Sequence, residues 1–194
     1  MARTLRQPHA ALADLCDGFF DEVEFVYDCP RLTAEQIPPP LDRLLVHREH
    51  MTARLEAYYG QPVDLHVLAE QREDDRYARK IALTLRGLPT VVEFGIASIR
   101  LHYLPEAARA AVLQRREPLG DILIRHNVLR RISPRWYFRF PPDTPIATAL
   151  LGEAAEHGGD RPVIGRVGTI YCDEEPAIEL LEVVVEARGV TGGK

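Results

Sequence analysis

After Gly60 the apolar residues of this chain stop recurring at helical spacing and begin to alternate. That change of period restricts the fold more than any other feature, because alternation builds strands with two distinct faces. Val63, Leu65 and Val67 alternate with Asp64 and His66, and Ile81, Leu83 and Leu85 alternate with Lys80, Thr84 and Arg86. Gly87-Leu88-Pro89 reads as a turn, and a β-rich run continues from Thr90 to Tyr103. Arg135–Phe140 places Trp136, Phe138 and Phe140 on one side of a further strand. The end is a hairpin, Gly165–Cys172 and Ala177–Ala187 flanking the acidic turn Asp173-Glu174-Glu175-Pro176. Strands that follow one another through short turns pair antiparallel.

Helices are expected elsewhere. Leu12, Leu15, Cys16 and Phe19 mark a short amphipathic one. Beyond Pro38-Pro39-Pro40, the residues Leu41, Leu44, Leu45, Met51, Leu55 and Tyr58 recur as on one longer helix, closed by Gly60. Pro105–Arg115 and Pro118–Asn127 supply two more, each with proline near its start. The expected class is α+β: a mostly antiparallel β-sheet with helices packed on one face. Residues 41–187 would form that domain, with 1–40 an extension packed on it and 188–194 a flexible tail.

Several function classes are set aside by composition. The chain has 194 residues, a formal net charge of −5, and 24 basic residues that never collect into a long run. A nucleic-acid footprint needs clustered cations, so no nucleic-acid partner is expected, and Arg125 to Arg139 reads as a solvated face. The aromatic strand Arg135–Phe140 is better explained by packing than as a stacking platform. No apolar run is long enough to insert in a bilayer, and the first residues lack the block of a secretory signal, which points to the cytoplasm. Cys16, Cys29 and Cys172 form no CxxC pair and read as small buried apolar residues. Neither Ser98 nor Ser133 lies in a GxSxG elbow, and no glycine-rich phosphate loop occurs. His47 and His50, with Glu49 between them, lack an evident third ligand, so no metal is expected. His102 and His126 read as structural or as rim residues.

Two residues break the alternation. Arg79 shares parity with Ile81, Leu83 and Leu85 and should therefore point toward the core, where a guanidinium needs an anion. Glu182 lies among Ile178, Leu180 and Val184, but the other parity, with Glu179, is also mostly apolar, so parity does not choose between Glu179 and Glu182. On periodicity alone the simpler account is an internal salt bridge between Arg79 and a glutamate. The sharper one is an anion pocket in which Arg79 binds a carboxylate and a nearby acid handles protons.

Four landmarks in order carry a resemblance. Leu44-Leu45 followed by Met51-Thr52-Ala53-Arg54-Leu55-Glu56 is similar to the leucine pair and MTxRxE segment of the chorismate lyases. Arg79-Lys80-Ile81-Ala82-Leu83, with Gly87 and Pro89 beyond it, resembles their arginine strand and turn. Pro118-Leu119-Gly120 matches their PLG signature, and Gly165-Arg166 precedes Pro176 by their spacing. In the ubiquinone-pathway members the site glutamate falls five residues after that proline, at Leu181 here; in a more distant branch it falls six after, at Glu182. The resemblance runs from about Leu41 to Val185.

It implies a chorismate lyase-like fold with a ligand pocket enclosed between the sheet and helical flaps. It implies a carbon–oxygen lyase that removes pyruvate from chorismate, or a close analogue, to leave 4-hydroxybenzoate, without metal or organic cofactor. Arg79 and Glu182 would be its catalytic residues, with Met51, Leu119 and Gly120 binding substrate. Arg166 is explained by a salt bridge on the sheet. The ring becomes aromatic, so the protein mainly orients the substrate and shifts protons. The same fold also serves bacterial transcription regulators, which makes a non-catalytic domain that senses an aromatic carboxylate the alternative. The residues before Leu41 are too few for a helix-turn-helix, which favours the enzyme, acting as a monomer or weak homodimer.

Overall fold

The computed structural model describes residues 7–151 and 161–187. In chain order its elements are α1 (Pro8–Cys16), β1 (Arg31–Leu32), α2 (Leu41–Leu45), α3 (Met51–Tyr59), β2 (Val63–Glu73), β3 (Arg76–Leu85) and β4 (Val91–Arg100). Then come α4 (Glu106–Gln114), α5 (Leu119–Arg125), β5 (Arg130–Phe140), α6 (Pro145–Leu151), β6 (Val163–Cys172) and β7 (Glu175–Val184). The strands form one seven-stranded sheet in the order β1-β5-β6-β7-β4-β3-β2, and each neighbouring pair is antiparallel. β2, β3 and β4 are a meander. The chain then crosses to the far side, builds β5 and β6, and returns with β7 alongside β4.

Local chemistry accounts for the joints. Asp173 and Glu174, both at positive φ (48° and 65°), make the tight β6–β7 turn, whose twist suits a two-residue hairpin. Gly60 closes α3 at φ 67°, in the left-handed conformation that ends many helices. Pro8 opens α1, and Pro118 stands just before α5, where a missing N–H costs nothing.

The α+β class and the antiparallel sheet are as expected. α2 and α3 pack with Leu83, Leu85, Val92, Ile164 and Val184 at one end of a sheet face. At its other end α4 and α5 pack with Tyr77, Ile99, Ile170 and Ile178. The opposite face is covered as well: Leu12, Leu15 and Cys16 of α1 and Ile146, Ala147 and Leu150 of α6 pack on Phe94, Ile96, Leu181 and Val183. The cause is that β4 and β7 are apolar at both parities, and a second apolar face has to leave water.

The expected single helix from Leu41 to Tyr58 is two. It breaks between Leu45 and Met51 although the apolar spacing continues across the break. His47 and His50 therefore lie in an irregular connection and not on a helix face. Among the described residues no helix is long and apolar enough to cross a membrane, the cysteines are free and buried, and no group of three metal-ligating side chains comes together. The proposed tail 188–194 lies outside the described residues.

Candidate functional site

Register places the polar side chains. Arg79 of β3 stands opposite Ala97 of β4, which faces Leu180 of β7, which faces Gly168 of β6. In the next row of the same face are Ile81, Gly95, Glu182 and Arg166, and in the row beyond are Leu83, Glu93, Val184 and Ile164. Three adjacent rows thus carry two arginines and two glutamates on an otherwise apolar surface. Above them the two helical pairs leave a cavity of about 540 Å3, its mouth included. Its roof comes from the connection before α3 and the start of that helix (His50, Met51, Thr52) and from the start of α5 (Pro118, Leu119, Gly120).

Arg79 is 2% exposed, and its Nη1 has no hydrogen-bond partner. Among the described residues no carboxylate pairs with it. Burial lowers its proton affinity, opposed by the nearby Tyr77. The Arg79–glutamate salt bridge allowed by periodicity is therefore not formed. Instead Arg166 Nε donates to Glu182 Oε2 at 2.5 Å. The other nitrogens of Arg166 turn to the helix break: Nη1 donates to the carbonyls of Leu45 (3.0 Å) and His47 (2.9 Å), and Nη2 to that of Glu49 (3.3 Å). A guanidinium with five fixed donors suits this work. It satisfies carbonyls that a continuous helix would use internally, which is why the helix stops there.

Glu182 lines the cavity, whereas Glu179 lies on the opposite face and accepts a hydrogen bond from Thr169 Oγ1 at 3.1 Å. Met51, Leu119 and Gly120 line the cavity too. A Cβ on Gly120 would stand 2.9 Å from the His50 ring, so glycine lets α5 approach the connection. His50 accepts a hydrogen bond from Arg130 Nε at 2.6 Å. Burial, aided by Arg130 and Arg166, lowers its pKa to about 4, and burial together with Arg166 does the same to His47. His102 pairs with Asp75 at the surface, and neither it nor His126 lines the cavity.

Sequence reasoning missed Glu93. It is 3% exposed, its Oε2 has no hydrogen-bond partner, and it borders the cavity. Burial pushes its carboxyl well above the usual carboxylate range; Glu182 raises it further and Arg166 opposes. The signal was the one that found Arg79: a charged residue among Val91, Val92, Phe94, Gly95 and Ile96, in a strand apolar on both sides.

With this geometry in hand, comparison with known proteins adds the following. No protein-family model matches the sequence, and no curated protein matches it. The solved structure of PhnF from Mycobacterium smegmatis is similar over 77% of this chain and 68% of its own, with 14% identity and a TM-score of 0.53. The fold is chorismate lyase-like. The separately solved effector domain of PhnF aligns over 71% of this chain and 88% of its own, at 14% identity and TM-score 0.46. The possible transcriptional regulator YydK from Bacillus subtilis aligns over 63% and 58%, at 9% identity and TM-score 0.41. At 14% identity the likeness to PhnF carries the fold and nothing of the chemistry.

Proposed function

We propose that this chain is a small-molecule-binding domain that takes an aromatic carboxylate into the Arg79 cavity. The observation that carries the reading is a buried guanidinium without a partner, facing a mostly apolar cavity. Such a cation is unfavourable by itself and becomes favourable when a carboxylate meets it with paired hydrogen bonds. Met51, Leu119, Ile81 and Leu180 supply apolar walls for a ring, and Gly120 keeps the roof close. The likeness to PhnF, a protein with an effector domain, supports a sensing role.

A second reading is favoured by Glu182, which borders the same cavity as Arg79. In it the chain is a lyase acting on chorismate or a close analogue. Arg79 holds a substrate carboxylate and Glu182 assists proton transfer. The ring C–H at the hydroxyl-bearing carbon loses its proton, the adjacent ring C–O bond breaks with its electron pair left on the departing enolpyruvyl oxygen, and the enolpyruvate so released takes up a proton at its methylene carbon to become pyruvate. The ring is then 4-hydroxybenzoate. Positioning and proton transfer suffice for this.

Calorimetry with 4-hydroxybenzoate and a coupled pyruvate assay with chorismate separate the two. Arg79→Gln should weaken 4-hydroxybenzoate binding roughly 30-fold or more, as expected for loss of a charge-assisted pair. Its melting temperature without ligand should not fall, because the lost cation had no internal partner. Binding without pyruvate release supports the sensing domain. Release that disappears in Arg79→Ala and Glu182→Gln supports the lyase. Neither binding nor release overturns both.

A further inference from the structure

We infer that Glu93 is a second ligand-binding residue, and that the ligand is a monoanion bearing an uncharged hydroxyl at the end opposite its carboxylate. This rests on the Arg79 reading above and narrows its ligand class. Along β4 the residues on the cavity face are Glu93, Gly95 and Ala97, with Arg79 beside Ala97. Gly95 and Ala97 add little side chain of their own between the two ends. The Ile81 side chain and Glu93 Oε1 lean over Gly95, 3.2 Å and 3.4 Å from where a Cβ would stand, so any larger residue there would displace the Glu93 carboxyl from the cavity edge. Glu93 and Ala97 are four residues apart, about 14 Å along an extended strand. Once both side chains reach inward, that spacing suits a benzene ring substituted at opposite positions.

The charges set the ligand's own charge. Arg166 and Glu182 are already matched, which leaves Arg79 as the one unpaired cation lining this site among the described residues. At the other end stands Glu93, with a buried oxygen that no protein group satisfies and Glu182 diagonally across from it. Burial raises this acid's hold on its proton, and a carboxyl that carries a proton can both donate and accept. A hydroxyl uses both capacities. A second carboxylate would meet no unpaired cation at this end among the described residues, so a dianion such as chorismate is a poorer ligand here than a monocarboxylate.

The test is calorimetric titration of benzoate, 4-hydroxybenzoate and terephthalate into wild type, Glu93→Gln and Glu93→Leu. In wild type 4-hydroxybenzoate should bind about tenfold more tightly than benzoate, the size of one net hydrogen bond in a dry site, and terephthalate more weakly than either. Glu93→Gln should keep the preference. Glu93→Leu should erase it while benzoate still binds within about threefold, which also shows that the variant folds. Equal binding of benzoate and 4-hydroxybenzoate to wild type overturns this inference alone, as does a preference that survives in Glu93→Leu or a tightest affinity for terephthalate. Failure of all three to bind wild type removes the Arg79 reading and this inference with it.

Discussion

Arg79 and Arg166 stand in adjacent rows of one sheet face, both buried, and the fold treats them oppositely. Arg166 is matched by Glu182 and three main-chain carbonyls, so its charge is internal to the structure. Arg79 has no such match among the described residues. Arg166→Met should therefore destabilise the protein by roughly 3 kcal/mol, within the range seen when one member of a buried ion pair is removed. Urea denaturation checks this, with Glu182→Gln added to Arg166→Met recovering part of the loss. How these residues could be found from sequence differs. Arg79 was legible because β3 alternates cleanly, so one charge on the apolar parity stands out. Glu93 carries the same signal but lies in a strand apolar on both sides, where parity gives no contrast. Arg166 was visible as a motif residue, and the salt bridge on the sheet expected of it is formed with Glu182; its hold on the main chain was not legible. Its carbonyl partners lie more than a hundred residues away in sequence.

The break between α2 and α3 is the element on which the cavity roof depends. Leu41, Leu44, Leu45, Met51, Leu55 and Tyr58 keep helical spacing throughout, so no local pattern reveals the interruption. The cause is tertiary, the guanidinium beneath it. His47 and His50 sit in this break with pKa values lowered to about 4 from the usual 6.5, by burial first and then by neighbouring arginines. A depressed folded pKa means that the unfolded chain binds protons first. Their contribution to stability is complete above pH 6.5 and is lost as pH falls toward about 4. The melting temperature should drop through that window, and less so in a His47→Gln, His50→Gln double variant. Imidazole NMR resonances should show both rings neutral at pH 5.5 in the folded protein; a normal titration near 6.5 would contradict the burial argument.

For the whole molecule, the order of periods was enough to give an α+β class and an antiparallel sheet. The second covered face was less legible. Both parities of β7 are apolar, but nothing local says that the remote α1 supplies the cover. Leu12 is fully buried against the sheet, so Leu12→Ala should cost about 2–5 kcal/mol. If residues before Leu41 belong to the same cooperative unit, that loss shifts a single unfolding transition seen alike by circular dichroism and by Trp136 fluorescence. Two separate transitions would make the segment an independent appendage.

Four ionisable side chains on four neighbouring strands share one parity: Arg79, Glu93, Glu182 and Arg166. Sliding any one strand by a single residue against the next would drive its charge down into the layer beneath Phe94 and Val183. Each such misplacement costs several kcal/mol. These polar groups thus act as alignment marks for the sheet, disfavouring offset pairings that strands this uniformly greasy would otherwise tolerate.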